Sequence, residues 1–488
     1  MDWTATGRIL MLHTSDGSFA LRGRANRTPM TRGLHHPRRG GSTAGDGRQR
    51  GGDGAESPAS GDVAAASDTV RAARNTLCLE IYQVIVRVGW IFKTETIIMP
   101  AVLDAVVDSG LLRGLLPVLN RGGQSVPPLL FSSTLARAPL KKWALVRSGV
   151  AMAACFAVLA VAWMPLQARR PDLLALLFLL VYAAFSSANG LNQLILASLQ
   201  GKLIAPGHRG RAMLVSVSLG SVLAILAALL WLGRWLEESD GFPKIFAATA
   251  TFFGMAAVVP WLLDEPREAA LDPGPVPSAS PPVGWLAALR RGVDGWRRTL
   301  AADRHLLRLT VVAACFSAVL MLFPHYQAFA RDRLGTPMTS LLTWVIVQNA
   351  ATGGASLVVG PLSDRRGTRS VLVWLVALSS VTPLLVAGLS RLPHPLAAEW
   401  FWTVYLPLGL NPLSLKMFTN YALELAPAPV EHPRYVSIVG AALAAPFLLS
   451  PLVGLAVDQI GFQPVFVVGA GVIATGALVA VGLPEPRD

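Results

Sequence analysis

From about residue 77 onward the chain alternates long apolar runs with short stretches of Pro, Gly or charge. The runs fall at 77–103, 111–135, 143–164, 173–199, 212–233, 243–263, 306–329, 338–360, 370–390, 399–424, 434–457 and 463–483. At a rise of about 1.5 Å per residue, each is long enough to cross a hydrocarbon layer about 30 Å thick. Inside lipid only a helix satisfies its backbone groups without a neighbour, so the runs are expected as helices. The sequence therefore predicts an all-α polytopic membrane protein with twelve transmembrane helices, numbered here as spans 1 to 12. Span 1 is the most polar, carrying Glu80, Arg87, Lys93 and Glu95.

The spans divide into two sets of six. Gly190-Leu191-Asn192 in span 4 recurs as Gly409-Leu410-Asn411 in span 10, and Ala205-Pro206 recurs as Ala426-Pro427. Gly241-Phe242 with Phe246 is echoed by Gly461-Phe462 with Phe466, and Glu265-Pro266-Arg267 by Glu485-Pro486-Arg487. Short strings recur by chance, but four in one order at nearly one offset point to a duplicated unit. An even number of helices per unit gives both units the same orientation. The expected organisation is an extension at 1–76, a six-helix half at 77–263, a central loop at 264–305 and a second six-helix half at 306–488. Glu265-Pro266-Arg267 and its repeat read as helix stops.

Composition agrees with a membrane location. Of 488 residues 53% are hydrophobic and 15% charged, against roughly 25% charged in soluble proteins. The first 74 residues are rich in Gly, Ser, Ala and Arg, with eleven Arg against seven acidic residues and no apolar periodicity. They read as a solvated, disordered tail rather than an arm for RNA or lipid. The excess of 42 Lys+Arg over 29 Asp+Glu is the kind that membrane proteins keep in cytoplasmic loops, so no nucleic-acid partner is expected. Loops on one side of the twelve-span arrangement carry 17 Lys or Arg, and loops on the other carry 8. That asymmetry places both termini in the cytoplasm of a bacterial inner membrane. Cys78, Cys155 and Cys315 are scattered in apolar runs and offer neither a disulfide framework nor a metal site. No metal or other cofactor is expected.

Between spans 8 and 9 runs Gly360-Pro361-Leu362-Ser363-Asp364-Arg365-Arg366-Gly367-Thr368-Arg369. Glycines permit a tight turn and close helix approach, and the charges can pair with a neighbouring helix in one conformation and release in another. A basic turn obeying the positive-inside rule would look similar. Gly360, Leu362, Asp364, Arg365, Gly367 and Arg369 resemble, position by position, the cytoplasmic signature of the major facilitator superfamily. The first copy of that signature would fall at Ser133 to Lys142, where Arg137 replaces the acid and Leu140 the second glycine. The resemblance covers roughly residues 77 to 484. It implies a secondary transporter working by alternating access, with spans 1, 4, 7 and 10 around a central cavity.

Polar residues within the spans follow the same three-helix period. Candidate solute-binding and coupling residues are Lys93, Glu95, Asn120, Arg121, Gln124, Asn189, Asn192 and Gln193 in the first half. The second half contributes His325, Tyr326, Gln348, Asn349, Lys416 and Asn420. Asn189, Asn192 and Gln193 share one helix face, as do Asn120, Arg121 and Gln124. Lys93 and Glu95 lie about 200° apart on a helix, so they are not expected to neutralise each other. Glu95 is expected to pair with Arg121 or Lys416 and to carry a coupling proton. Two readings of the set stand: solute and proton handling, or salt bridges and amide clamps between helices. The excess of cations favours an anionic or zwitterionic small solute, handled by a monomer in the bilayer. A membrane-embedded enzyme would need a metal or nucleophile cluster that the spans lack, and a non-transporting sensor or scaffold on the same fold is the alternative function.

Overall fold

The computed structural model describes residues 58–136, 138–204, 206–267, 285–428 and 431–485, and every regular element among them is helical. Residues 1–57 of the expected disordered extension lie outside the described residues. The remainder of that extension is helix: α1 runs Pro58–Ile91. Its Ala-rich start favours helix, and its base is tied down by neighbours. Asn75 Nδ2 donates to the Asp264 carbonyl and its Oδ1 accepts from the Asp264 N–H, both at 2.9 Å, while Arg74 pairs with Asp264 at 3.2 Å.

Nine helices among the described residues are long and apolar enough to cross a membrane. They occupy spans 3 to 9, 11 and 12. Spans 1, 2 and 10 hold helices that are interrupted or more polar. Span 1 is α1 followed, after a break, by α2 (Ile98–Asp104), and span 2 is α3 (Gly110–Ala136), which contains three prolines. The remaining first-half helices are α4 (Lys142–Arg169), α5 (Pro171–Leu203), α6 (Pro206–Ala227) with a π turn leading into α7 (Gly233–Glu237), and α8 (Gly241–Val258). Then α9 (Trp285–Ala302) lies within the expected central loop, where Trp296 and Leu300 pack on the second half and Arg434 donates to the Gly295 carbonyl at 2.9 Å. After it come α10 (Arg304–Leu334), α11 (Ser340–Arg366), α12 (Thr368–Leu389), and span 10 as α13 (His394–Trp400), α14 (Tyr405–Leu408) and α15 (Asn411–Leu425). Span 11 is α16 (His432–Ala444) and α17 (Ser450–Ile460) joined by a 3₁₀ turn, and span 12 is α18 (Phe462–Val481).

The duplication is visible in packing. Helix α4 packs on α5 and α8, and α12 packs in the same way on α15 and α18. A Cβ on Gly190 would lie 2.7 Å from Gln124 Cα, and one on Gly409 would lie 2.6 Å from the Gln348 carbonyl oxygen. Each glycine of the repeated Gly-Leu-Asn thus lets span 4 or span 10 approach the second helix of its own half. The paired asparagines follow suit: Asn192 Nδ2 donates to Ser148 on α4 at 2.9 Å, and Ser379 on α12 donates to Asn411 Oδ1 at 3.2 Å.

Glu265, read from the sequence as part of a helix stop, has a further role. Its carboxylate accepts from the N–H groups of Lys141 and Lys142, at 2.9 and 2.8 Å, where α4 begins, and from Lys202 Nζ at 2.9 Å. The carboxylate meets the positive end of the helix and satisfies orphan amides. With the Glu265 side chain shut off from solvent, Glu265→Ala should cost on the order of 3 kcal/mol. The expected readout is a thermal midpoint several degrees lower in detergent, with Glu265→Gln in between.

Candidate functional site

Span 1 breaks halfway, at the polar run Lys93-Thr94-Glu95-Thr96. The broken ends are satisfied locally: Lys93 N–H donates to the Trp90 carbonyl at 3.2 Å and Thr94 Oγ1 to that of Ile91 at 3.0 Å. The Thr94 carbonyl then accepts from Ile98 and Met99 at 2.9 and 3.1 Å and starts α2. Unwound backbone is tolerated at this depth because protein or a cavity surrounds it.

The break overturns one expectation. Lys93 and Glu95 do pair, at 2.7 Å, because the segment between α1 and α2 is not helical and the 200° separation does not apply. The Lys93 ammonium is fully buried, 3.3 Å from the centre of the Trp90 ring and 4.4 Å from that of Phe185. Two aromatic faces and one carboxylate replace its water. Glu95 also accepts from Asn120, which accepts in turn from Gln124. Neither Arg121 nor Lys416 is the hydrogen-bonded partner of Glu95.

A cavity of about 480 Å³ lies between the halves below this break. Glu95, Arg121, Asn189, Asn192, Gln193, Gln348 and Asn349 all line it, so seven of the fourteen candidates meet on one surface drawn from both halves. Asn120 joins Glu95 and Arg121 in an adjoining recess of about 50 Å³. Lys93 and Gln124 stand behind the wall, bonded to its members. His325, Tyr326, Lys416 and Asn420 are not among the lining residues. Helix α10 turns Leu320 and Phe323 to the cavity, whereas His325 and Tyr326 are fully buried and Tyr326 packs on Phe466 of α18 at 5.2 Å. On α15 the lining residues are Asn411, Pro412 and Leu415, leaving Lys416 and Asn420 exposed farther along the helix.

Several wall residues belong to no candidate set. Tyr82, Gln83, Arg87, Trp90, Thr94 and Thr96 come from span 1, and Thr352 and Asn411 from the second half. Thr96 Oγ1 donates to Gln348 Oε1 at 2.7 Å and ties the break to α11. Asn411 was legible as the repeat partner of Asn192, and the four consecutive polar residues 93–96 were a signal of unwinding. Asn189 Nδ2 and Asn411 Nδ2 are buried without a hydrogen-bond partner among the described residues.

At one end the halves seal. Helices α3 and α17 cross there so closely that a Cβ on Gly114 would collide with the Ser450 carbonyl and one on Gly454 with that of Gly110. Asp458 of α17 accepts from the N–H groups of Gly110 and Leu111, at 2.8 and 3.2 Å, at the start of α3. Arg113, buried, pairs with Asp104 at 2.7 Å and with Asp108, and lies 4.0 Å from Asp332 of the second half. Gln327 Nε2 donates to Asp104 at 2.6 Å, again across the halves.

No family model matches the chain, and no curated protein matches it in sequence. Solved structures do match in shape. A POT family transporter in complex with 5-aminolevulinic acid has a TM-score of 0.64 at 11% identity, covering 85% of this chain and 96% of that one. The nucleoside transporter NupG has a TM-score of 0.60 at 13% identity, covering 84% and 98%. A D-xylose-proton symporter gives the same score and identity over the same shares. The fold is that of the major facilitator transporters.

Within this fold the signature between α11 and α12 is engaged inside its own half. Gly367 has φ +83°, and a Cβ there would collide with the Glu485 carboxylate. Arg369 Nη2 donates to the Val481 carbonyl at the end of α18, at 2.6 Å. Arg365 is exposed, and a Cβ on Gly360 would meet nothing within 4 Å. The side chain of Asp364 lies outside the described residues.

The sealed end generates a test. Gly454→Val forces α3 and α17 apart where no side chain fits. A cysteine introduced at Thr96 should then react several-fold faster with a membrane-impermeant thiol reagent applied to the sealed side.

Proposed function

We propose that this protein is a secondary transporter that carries a small anionic or zwitterionic solute across the membrane by alternating access. The observation that supports this reading most directly is the cavity itself. It lies at the junction of two repeated halves, draws polar groups from both, and adjoins a seal at one end only among the features described. Rocking of residues 77–263 against 306–488, with 264–305 as the connector, would expose it to the two sides in turn. The 17 to 8 asymmetry of basic residues assigns the sealed end to the outside of a bacterial inner membrane, with both termini in the cytoplasm. One chain contains the whole cavity, so a monomer suffices.

Proton coupling is assigned to Glu95. Lys93 from its own segment, Asn120 and Arg121 from α3 and Tyr182 from α5 surround it. Across the recess the second half presents Leu320, Phe323, Pro324 and Phe447, none of them titratable. A proton on Glu95 would cancel its attraction for Lys93 and leave the cations of the cavity uncompensated, linking protonation to solute charge and to the conformation of span 1.

In proteoliposomes with a trapped pH dye, an imposed solute gradient should move protons, and Glu95→Gln should abolish proton movement and accumulation while sparing solute counterflow. A Glu95→Gln protein that still accumulates solute against its gradient would remove Glu95 from coupling. Reporter fusions after Arg291 and after Asp488 should both report the cytoplasm, and an external signal from either would reverse the assigned orientation.

A further inference from the structure

We propose that Arg121 and the recess beside it form a receptor for the carboxylate group of an amphipathic monocarboxylic acid. This inference rests on the transport reading above and names the substrate class of the same cavity. Arg121 lines both the recess and the main cavity, yet among the described residues its guanidinium makes no hydrogen bond and no ion pair. It lies over the face of Phe447, 5.6 Å from the ring centre, on the 3₁₀ turn of the opposite half, and within the electrostatic reach of Glu95. The one carboxylate in the recess is already engaged, Glu95 Oε1 by Lys93 and Oε2 by Asn120. The Lys93–Glu95 pair cancels in charge, so Arg121 is the cation left over at this end of the cavity.

A guanidinium fork in low-dielectric surroundings is best satisfied by two parallel hydrogen bonds to a carboxylate. The size of the recess points the same way. Its volume of about 50 Å³ accommodates a group of a few heavy atoms and not a ring. Charge separates a carboxylate from a phosphate: one spare cation balances a monoanion, whereas a dianion would add repulsion from Glu95 without a second spare cation in the recess. Apart from its four polar residues the recess is walled by Leu, Pro and Phe side chains. The body of the solute would extend into the larger cavity. There the Trp90 ring offers an apolar surface, and Asn189 and Asn411 line the same wall. Arg121 also stands seven residues, about 10 Å, along α3 from Gly114 in the seal.

The test uses the full chain in nanodiscs of zwitterionic lipid at neutral pH, without any gradient, and three probes: 4-phenylbutyrate, its primary amide and inorganic phosphate. The expected result is a dose-dependent change in tryptophan fluorescence and a raised thermal midpoint with 4-phenylbutyrate, at least tenfold weaker with the amide or with phosphate. Arg121→Gln should weaken the acid at least tenfold, Arg121→Lys less, and Lys416→Gln, off the cavity wall, less than threefold. The wild-type acid and amide comparison stands even where Arg121→Gln does not fold. Equal binding of acid and amide, no binding of the acid, tighter binding of phosphate, or equal losses in Lys416→Gln and Arg121→Gln would each overturn the receptor. The transport reading fails separately. Acid that binds in nanodiscs but shows no counterflow in proteoliposomes keeps the receptor and removes transport, while flux confined to neutral solutes does the reverse.

Discussion

A lysine ammonium shut off from water has to find compensation inside the protein, and Lys93 imposes that condition on everything around it. A continuous helix would carry Glu95 to the far side of the same cylinder. Unwinding residues 92–97 costs helical hydrogen bonds, but Thr94 recovers several of them, and the gain is a direct ion pair with aromatic faces behind it. The same unwinding frees Thr96 to reach Gln348 on the opposite half. One local solution to a buried charge therefore also creates the roof of the cavity and a bond across the interface between the halves.

The two halves are built by one rule. A glycine at the cavity level of span 4 or span 10 brings that helix onto the second helix of its half, and the asparagine two residues later reaches a serine on the third. Without a side chain at Gly190 or Gly409 the helices gain dispersion contacts, which matter more in lipid because no hydrophobic force drives them together. The divergence between halves is equally informative. The first half supplies Lys93, Glu95 and Arg121, whereas the second half's side of the recess is apolar. Charge is thus concentrated on one partner, and the other presents an apolar surface to it.

At the seal the balance of forces differs. Gly110, Gly114, Ser450 and Gly454 allow backbone to approach backbone, and the charges of Asp104, Arg113 and Asp458 are spent on neighbours within and across the halves. Close packing that depends on absent side chains is an all-or-none contact. A seal of this kind is either made or lost, with little room for a half-open form.

The sequence by itself determined the helical class, nine of the long apolar helices, the duplication and which polar residues share a helix face, because each is a local property. Hydrophobic length marks a span, and spacing of three and four residues puts Asn189, Asn192 and Gln193 on one surface wherever the helix is placed. The repeated Gly-Leu-Asn announced a pair of equivalent positions before their packing was visible. Only the tertiary structure decided which way the other helices face. The rotation of α10 that buries His325 and Tyr326, and of α15 that leaves Lys416 off the cavity wall, is set by packing against α18 and α12. Those contacts join residues more than thirty positions apart. The pairing of Lys93 with Glu95 escaped a helical reading for a related reason: the segment that brings them together is held in place by partners on α3, α5 and α11, which no local pattern contains.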